Sequence, residues 1–73
     1  MNAQTENIGQ AITMIYDELK SDSMSTQIII DIDESDEDDI VKNGIRNAVR
    51  RLRELNKGEL ADKIERLTKG YAF

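Results

Sequence analysis

The sequence predicts a mainly α-helical fold with one short strand, in the order helix, strand, helix, helix. Three segments repeat apolar residues at intervals of three and four, which is typical of amphipathic helices. A fourth segment, around Ile28–Ile30, is a run of β-branched residues that suits a pleated sheet. The alternative to this α-β-α-α fold is a small bundle of helices alone. With 73 residues, the chain is predicted to form one small domain spanning 1–73.

The first helix is predicted over residues 5–20, and the strand follows it over residues 26–32. The helix would turn one apolar face inward, and the spacing of three and four defines that face. Its members are Ile8, Ala11, Ile12, Ile15 and Leu19.

The predicted strand requires a partner for its backbone N–H and C=O groups, and the sequence offers no second strand. We therefore expect it to pair with the same strand of another copy across a two-fold axis, forming a homodimer. Alternate side chains face one way along a strand, so the dimer seam would consist of Ile28, Ile30 and Ile32. The sequence has no cysteine, which leaves a partner chain as the natural way to enlarge a small core.

Two further helices are predicted, over residues 36–57 and 59–69. Asn43-Gly44 is a strong turn signal, so the longer segment is either one helix or two that meet at this dipeptide. A single helix is favoured because the apolar positions remain in register on both sides of Gly44. These positions are Val41, Ile45, Ala48, Leu52 and Leu55 in the longer helix, and Leu60, Ala61, Ile64 and Leu67 in the last.

The composition argues against catalysis and against metal or cofactor binding. Histidine and cysteine are both missing, and these residues supply the commonest general bases and nucleophiles. A calcium loop starting at Asp31 would need glycine where Asp36 stands and glutamate where Lys42 stands. We therefore expect no enzyme, no cofactor and no metal site. No signal peptide or membrane-spanning segment is predicted, which favours a cytoplasmic protein.

Charge is distributed unevenly along the chain. Residues 1–39 contain eleven acidic residues and one basic residue, whereas residues 40–73 contain nine basic and four acidic residues. Seven carboxylates fall within nine positions, and they are either a solvated helix start or a surface that binds a basic partner. The seven are Asp31, Asp33, Glu34, Asp36, Glu37, Asp38 and Asp39.

Five cations form a basic stripe on one side of the third predicted element. They could contact phosphates, an acidic protein surface or only solvent. The stripe consists of Lys42, Arg46, Arg50, Arg53 and Lys57.

The predicted order of strand, helix and helix over residues 26–69 resembles the ribbon-helix-helix family at the level of topology. That resemblance implies a dimeric DNA-binding regulator whose outward strand residues read the major groove. Those positions would be Gln27, Ile29 and Asp31, and only Gln27 has the basic or polar character usual in the family.

The function predicted first is that of a small, non-enzymatic interaction protein. It would regulate or inhibit a larger protein by docking the acidic segment 31–39 on a basic surface, as a nucleic-acid mimic does. The small size would suit an accessory protein of a phage. The alternative is a ribbon-helix-helix-like DNA-binding regulator that uses the basic stripe.

Overall fold

A computed structural model describes residues 3–34 and 36–73, and the backbone of these residues is almost entirely helical. No strand is present in this part of the chain, so the predicted α-β-α-α fold is wrong and the alternative, a small helical bundle, fits. The described elements are α1 (Ala3–Leu19), a short 3-10 turn (Ser23–Ser25), α2 (Thr26–Glu34), α3 (Asp38–Glu54) and α4 (Gly58–Leu67).

The segment predicted as a strand is the helix α2. Ile28 and Ile32, four residues apart, are 9% and 7% exposed, whereas Ile30 is 39% exposed. A strand would have placed these three side chains on one face, but the burial follows helical spacing. The preference of isoleucine against helix is a fraction of 1 kcal/mol per residue. Burying one such side chain contributes about 1.5–3 kcal/mol, so packing determines the backbone.

The helical backbone of α2 is incompatible with the predicted dimer seam as well. Ile28 and Ile32 lie in the core of their own chain, and residues 26–32 have no strand backbone to pair across a two-fold axis. The ribbon on which the ribbon-helix-helix resemblance depended is therefore absent from this segment.

Helix α3 is the centre of the bundle, and it packs against α1, α2 and α4. It continues through Asn43 and Gly44 without a break. It ends where Asn56 adopts a left-handed conformation with φ of 63°. The backbone N–H of Lys57 then reaches back to the carbonyl of Leu52 at 2.8 Å, which is a common way to satisfy the last carbonyls of a helix.

The core is assembled from all four helices and from the segment after α4. Backbone N–H groups of Tyr71 and Ala72 donate to the carbonyl of Thr68, which folds the tail back onto the bundle. None of the helices in the described part of the chain has the length and apolar character needed to cross a lipid bilayer. The buried apolar residues are Ala11, Ile15, Leu19, Ile28, Ile32, Ile45, Ala48, Val49, Leu52, Ala61, Ile64 and Ala72.

Candidate interaction surfaces

The acidic segment surrounds the connection between α2 and α3. We define the acidic end as the five residues of this region whose side chains are exposed. Asp31 is only partly exposed and accepts a hydrogen bond from Gln27 Nε2 at 2.8 Å. The side chain of Glu34 lies outside the described part of the structure. The acidic end consists of Asp33, Asp36, Glu37, Asp38 and Asp39.

The carboxylates do not all suit the helices that carry them. Asp38 and Asp39 occupy the first turn of α3, where the helix dipole favours negative charge. Asp31 and Asp33, however, lie in the last turn of α2, which contains no basic residue. Negative charge is unfavourable at the C-terminal end of a helix, so these two residues weaken the helix they belong to. A strand has no such dipole, so the sequence prediction could not reveal this conflict.

Three of the five carboxylates of the acidic end form no ion pair with a described residue. Within residues 3–34 and 36–73, Asp33, Asp36 and Asp39 form no ion pair. Asp38 Oδ1 accepts a hydrogen bond from the Tyr71 hydroxyl at 3.2 Å. Burial and the adjacent Asp38 carboxylate both raise the pKa of Tyr71.

Five of the eight carboxylates outside residues 31–39 form ion pairs within the described part of the chain, whereas Glu6, Asp17 and Glu59 form none. Glu18 Oε2 lies 2.6 Å from Lys57 Nζ, and Asp62 Oδ1 lies 2.9 Å from Arg53 Nη2. The first pair joins α1 to the residue that precedes α4, and the second joins α4 to α3. Among the described residues, the chain thus pairs carboxylates between α1, α3 and α4 and leaves Asp33, Asp36 and Asp39 without ion pairs.

The same pairs divide the predicted basic stripe. Arg53 and Lys57 are engaged by carboxylates of their own chain. Lys42 Nζ lies 5.1 Å from the centre of the Tyr71 ring, within the range of a cation–π interaction. Only Arg46 and Arg50 are exposed without an ion-pair or hydrogen-bond partner among the described residues.

Asp22 and Arg51 form an ion pair that the sequence patterns do not predict. Arg51 Nε donates to Asp22 Oδ2 at 2.7 Å, and Arg51 Nη2 donates to Asp22 Oδ1 at 3.2 Å. The Ser25 hydroxyl donates to Asp22 Oδ2 at 2.6 Å. The hydrogen bond from Arg51, and then that from Ser25, holds the pKa of Asp22 well below its usual range.

This pair fastens the connection between α1 and α2 to α3. Its side chains are mostly shielded, with 17% exposure for Asp22 and 18% for Arg51. The two residues are 29 positions apart in the sequence, so no local pattern could have revealed the contact.

A shallow cleft of about 320 Å³ lies beside this pair. Met24, at 73% exposure, is the most exposed large apolar side chain described and forms one wall. No group of three or more acidic side chains in the described part of the chain is placed to hold a metal ion. The cleft is lined by Met24, Ile28, Asn47, Arg50, Arg51 and Glu54.

Comparison of the chain with protein-family models, with curated proteins and with solved structures found no match.

Proposed function

We propose that this protein is a non-catalytic interaction protein that regulates or inhibits a larger protein by docking its acidic end on a basic surface. The observation that carries the proposal is the grouping of three exposed carboxylates without ion pairs to described residues around one connection. Glu18, Asp22 and Asp62 are all in ion pairs within the chain. Asp33, Asp36 and Asp39 are exposed and form none with a described residue.

The position of Asp33 adds a second argument. A carboxylate in the last turn of α2 opposes the helix dipole, and it also repels the neighbouring carboxylates. Residues that lower stability in this way are typical of binding sites, because a partner offering cations removes the unfavourable interaction. Docking on a basic surface would relieve both the dipole conflict and the mutual repulsion.

The partner surface we propose is one that otherwise holds phosphate groups. Carboxylates grouped around one connection present several negative charges to cationic side chains, as a nucleic-acid backbone does. The proposed site of action is the cytoplasm. We do not propose the DNA-binding alternative, because the ribbon is absent and two of the five cations of the basic stripe are engaged within the chain.

The test compares partner capture by wild-type protein and by a neutralised variant, Asp33→Asn/Asp36→Asn/Asp39→Asn. Wild-type protein and the variant are each immobilised, and a protein captured from source lysate is identified. The affinity of that captured protein is then measured for wild type and for the variant. Wild-type protein should bind at low salt, the variant should bind about tenfold or more weakly, and the difference should shrink as salt screens the charges.

A matched control removes three exposed carboxylates elsewhere, in the variant Glu6→Gln/Asp17→Asn/Glu59→Gln. This control should bind as wild type does, and duplex DNA should compete with both for the captured protein. Equal affinity of the acidic-end variant and wild-type protein would overturn the proposal.

A further inference from the structure

We infer that the cleft beside Met24 is a docking surface for the acidic end of a second copy of this chain. The charge of the cleft favours an acidic occupant. Glu54 is engaged by Arg51 Nη1 at 3.3 Å, and Arg51 is itself held by Asp22. Arg50 is then the one charged group lining the cleft that has no partner among the described residues.

Arg46 extends this positive surface along α3. It precedes Arg50 by four residues, so the two side chains lie one above the other on the same face of the helix. Both guanidinium groups are exposed, and each can bind a carboxylate through two parallel N–H donors. The docking surface therefore offers Arg50 beside an exposed methionine and a second cation, Arg46, about one helical turn away on α3.

The acidic end offers the complementary chemistry. Asp33, Asp36 and Asp39 are exposed without ion pairs to described residues. Ile40, which follows Asp39 directly, is 39% exposed. One surface thus combines free guanidinium groups with Met24, and the other combines free carboxylates with an isoleucine. Because both surfaces are on one chain, a second copy is the occupant that the structure itself supplies.

The contact joins two different surfaces, so it is head-to-tail and leaves one surface of each kind open on the pair. Association would continue beyond two copies unless a ring closes. This inference rests on the acidic end of the proposed function. Self-association would occupy the acidic end, so it would compete with binding of the larger partner.

The experiment measures average molar mass by sedimentation velocity as protein concentration increases. The chain carries a net charge of −5, so unspecific electrostatics would hold copies apart at low salt. We expect mass to rise with concentration at about 0.01 M salt, where the Debye length is about 30 Å, and to return to that of the monomer at about 1 M, where it is about 3 Å.

Two charge-reversal variants test the contact from each side. Arg46→Glu/Arg50→Glu and Asp36→Lys/Asp39→Lys should each remain monomeric, because each places like charges on both surfaces. An equimolar mixture of the two variants should associate. The docking surface of the arginine variant is then negative and can bind the acidic end of the aspartate variant, which is then positive. Met24→Ser, with all charged residues unchanged, should weaken self-association about tenfold or more, because it removes the exposed apolar contact.

Lys63→Glu/Arg66→Glu is the matched control, because both residues lie on α4, away from the cleft, and the change in net charge equals that of the arginine variant. It should self-associate as wild type does. A wild-type protein that is monomeric at millimolar concentration and low salt, or a control that also loses association, would overturn the inference. Arg46→Glu/Arg50→Glu keeps the acidic end intact, so its capture of the larger partner tests the proposed function separately.

Discussion

Gly44 of α3 lies so close to Ile32 of α2 that a Cβ atom at position 44 would be 2.9 Å from Ile32 Cγ1. The same Cβ would be 3.3 Å from the Cβ of Asp31. Glycine is unfavourable in a helix interior by about 1 kcal/mol, and here it permits the two helices to approach each other. The Asn43-Gly44 dipeptide is therefore a packing feature of a continuous helix, although in isolation it is a turn signal.

Gly44→Ala should lower the free energy of unfolding, because overpacking of this kind costs about 1–3 kcal/mol and outweighs the gain in helix propensity. Gly9→Ala is the matched control, since Gly9 lies within α1 and a Cβ atom added there would meet no described atom beyond its own stretch of helix within 4 Å. That control should raise the free energy of unfolding by about 0.5–1 kcal/mol. Urea denaturation of the three proteins measures both values, and a stabilised Gly44→Ala variant would contradict the close approach.

The sequence predicts α1, α3 and α4 as helices, but it predicts α2 wrongly as a strand. Apolar spacing located α1, α3 and α4, because each buries a regular face. It failed for α2, since four isoleucines in five positions fit both a strand and a short buried helix. The packing of Ile28 and Ile32 in the core favours the helix, and that packing requires knowledge of the tertiary structure.

The sequence predicts which residues form the charged surfaces but not how those residues pair. The sequence showed the run of carboxylates and the stripe of cations, but it did not show which members are paired. Glu18 and Lys57 are 39 positions apart, so their pairing depends on the packing of α1 near the end of α3. The reduction of the basic stripe to Arg46 and Arg50 follows from such long-range contacts.

Arg51→Met should lower the melting temperature, whereas Arg50→Met should leave it nearly unchanged. The two arginines are adjacent in α3, but Arg51 makes two hydrogen bonds to Asp22 and Arg50 has no such partner among the described residues. Loss of Arg51 leaves a partly shielded carboxylate without its cation, which is destabilising. Thermal unfolding followed by circular dichroism distinguishes them, and equal melting temperatures for the two variants would contradict the role of the pair.

The Asp22–Arg51 pair also predicts how stability depends on acid. The folded-state pKa of Asp22 is lowered from an unfolded-state value of about 3.9. Its contribution is therefore fully present above the unfolded-state pKa and is lost as pH falls through the folded-state pKa. The difference in melting temperature between wild type and Asp22→Asn should be constant between about pH 6 and pH 5 and should narrow below about pH 4. A difference that persists unchanged to about pH 2 would show that the charge of Asp22 does not stabilise the fold.

The raised pKa of Tyr71 predicts that the stability of the fold changes at alkaline pH. Its pKa is raised in the folded protein, so the contribution of the neutral phenol is present below the unfolded-state pKa of about 10 and is lost as pH rises through the folded-state pKa. Tyr71→Phe keeps the aromatic ring beside Lys42, removes the hydrogen bond to Asp38 and should cost no more than about 1 kcal/mol near neutral pH. The variant should lose less stability than wild type between about pH 9 and pH 11. Parallel pH profiles would contradict this assignment.

Neutralising Asp33 and neutralising Asp39 should change stability by different amounts. Asp33 lies in the last turn of α2 and Asp39 in the first turn of α3, so the helix dipole opposes one charge and favours the other by about 0.3–1 kcal/mol each. Both substitutions to asparagine relieve repulsion within the acidic end, and this shared gain cancels in a comparison. Asp33→Asn should therefore be more stable than Asp39→Asn by about 0.6–2 kcal/mol at low salt, and the difference should shrink at high salt. Urea denaturation at two salt concentrations measures it. If the two variants are equally stable, Asp33 carries no stability cost, and that argument for the acidic end as a binding surface fails.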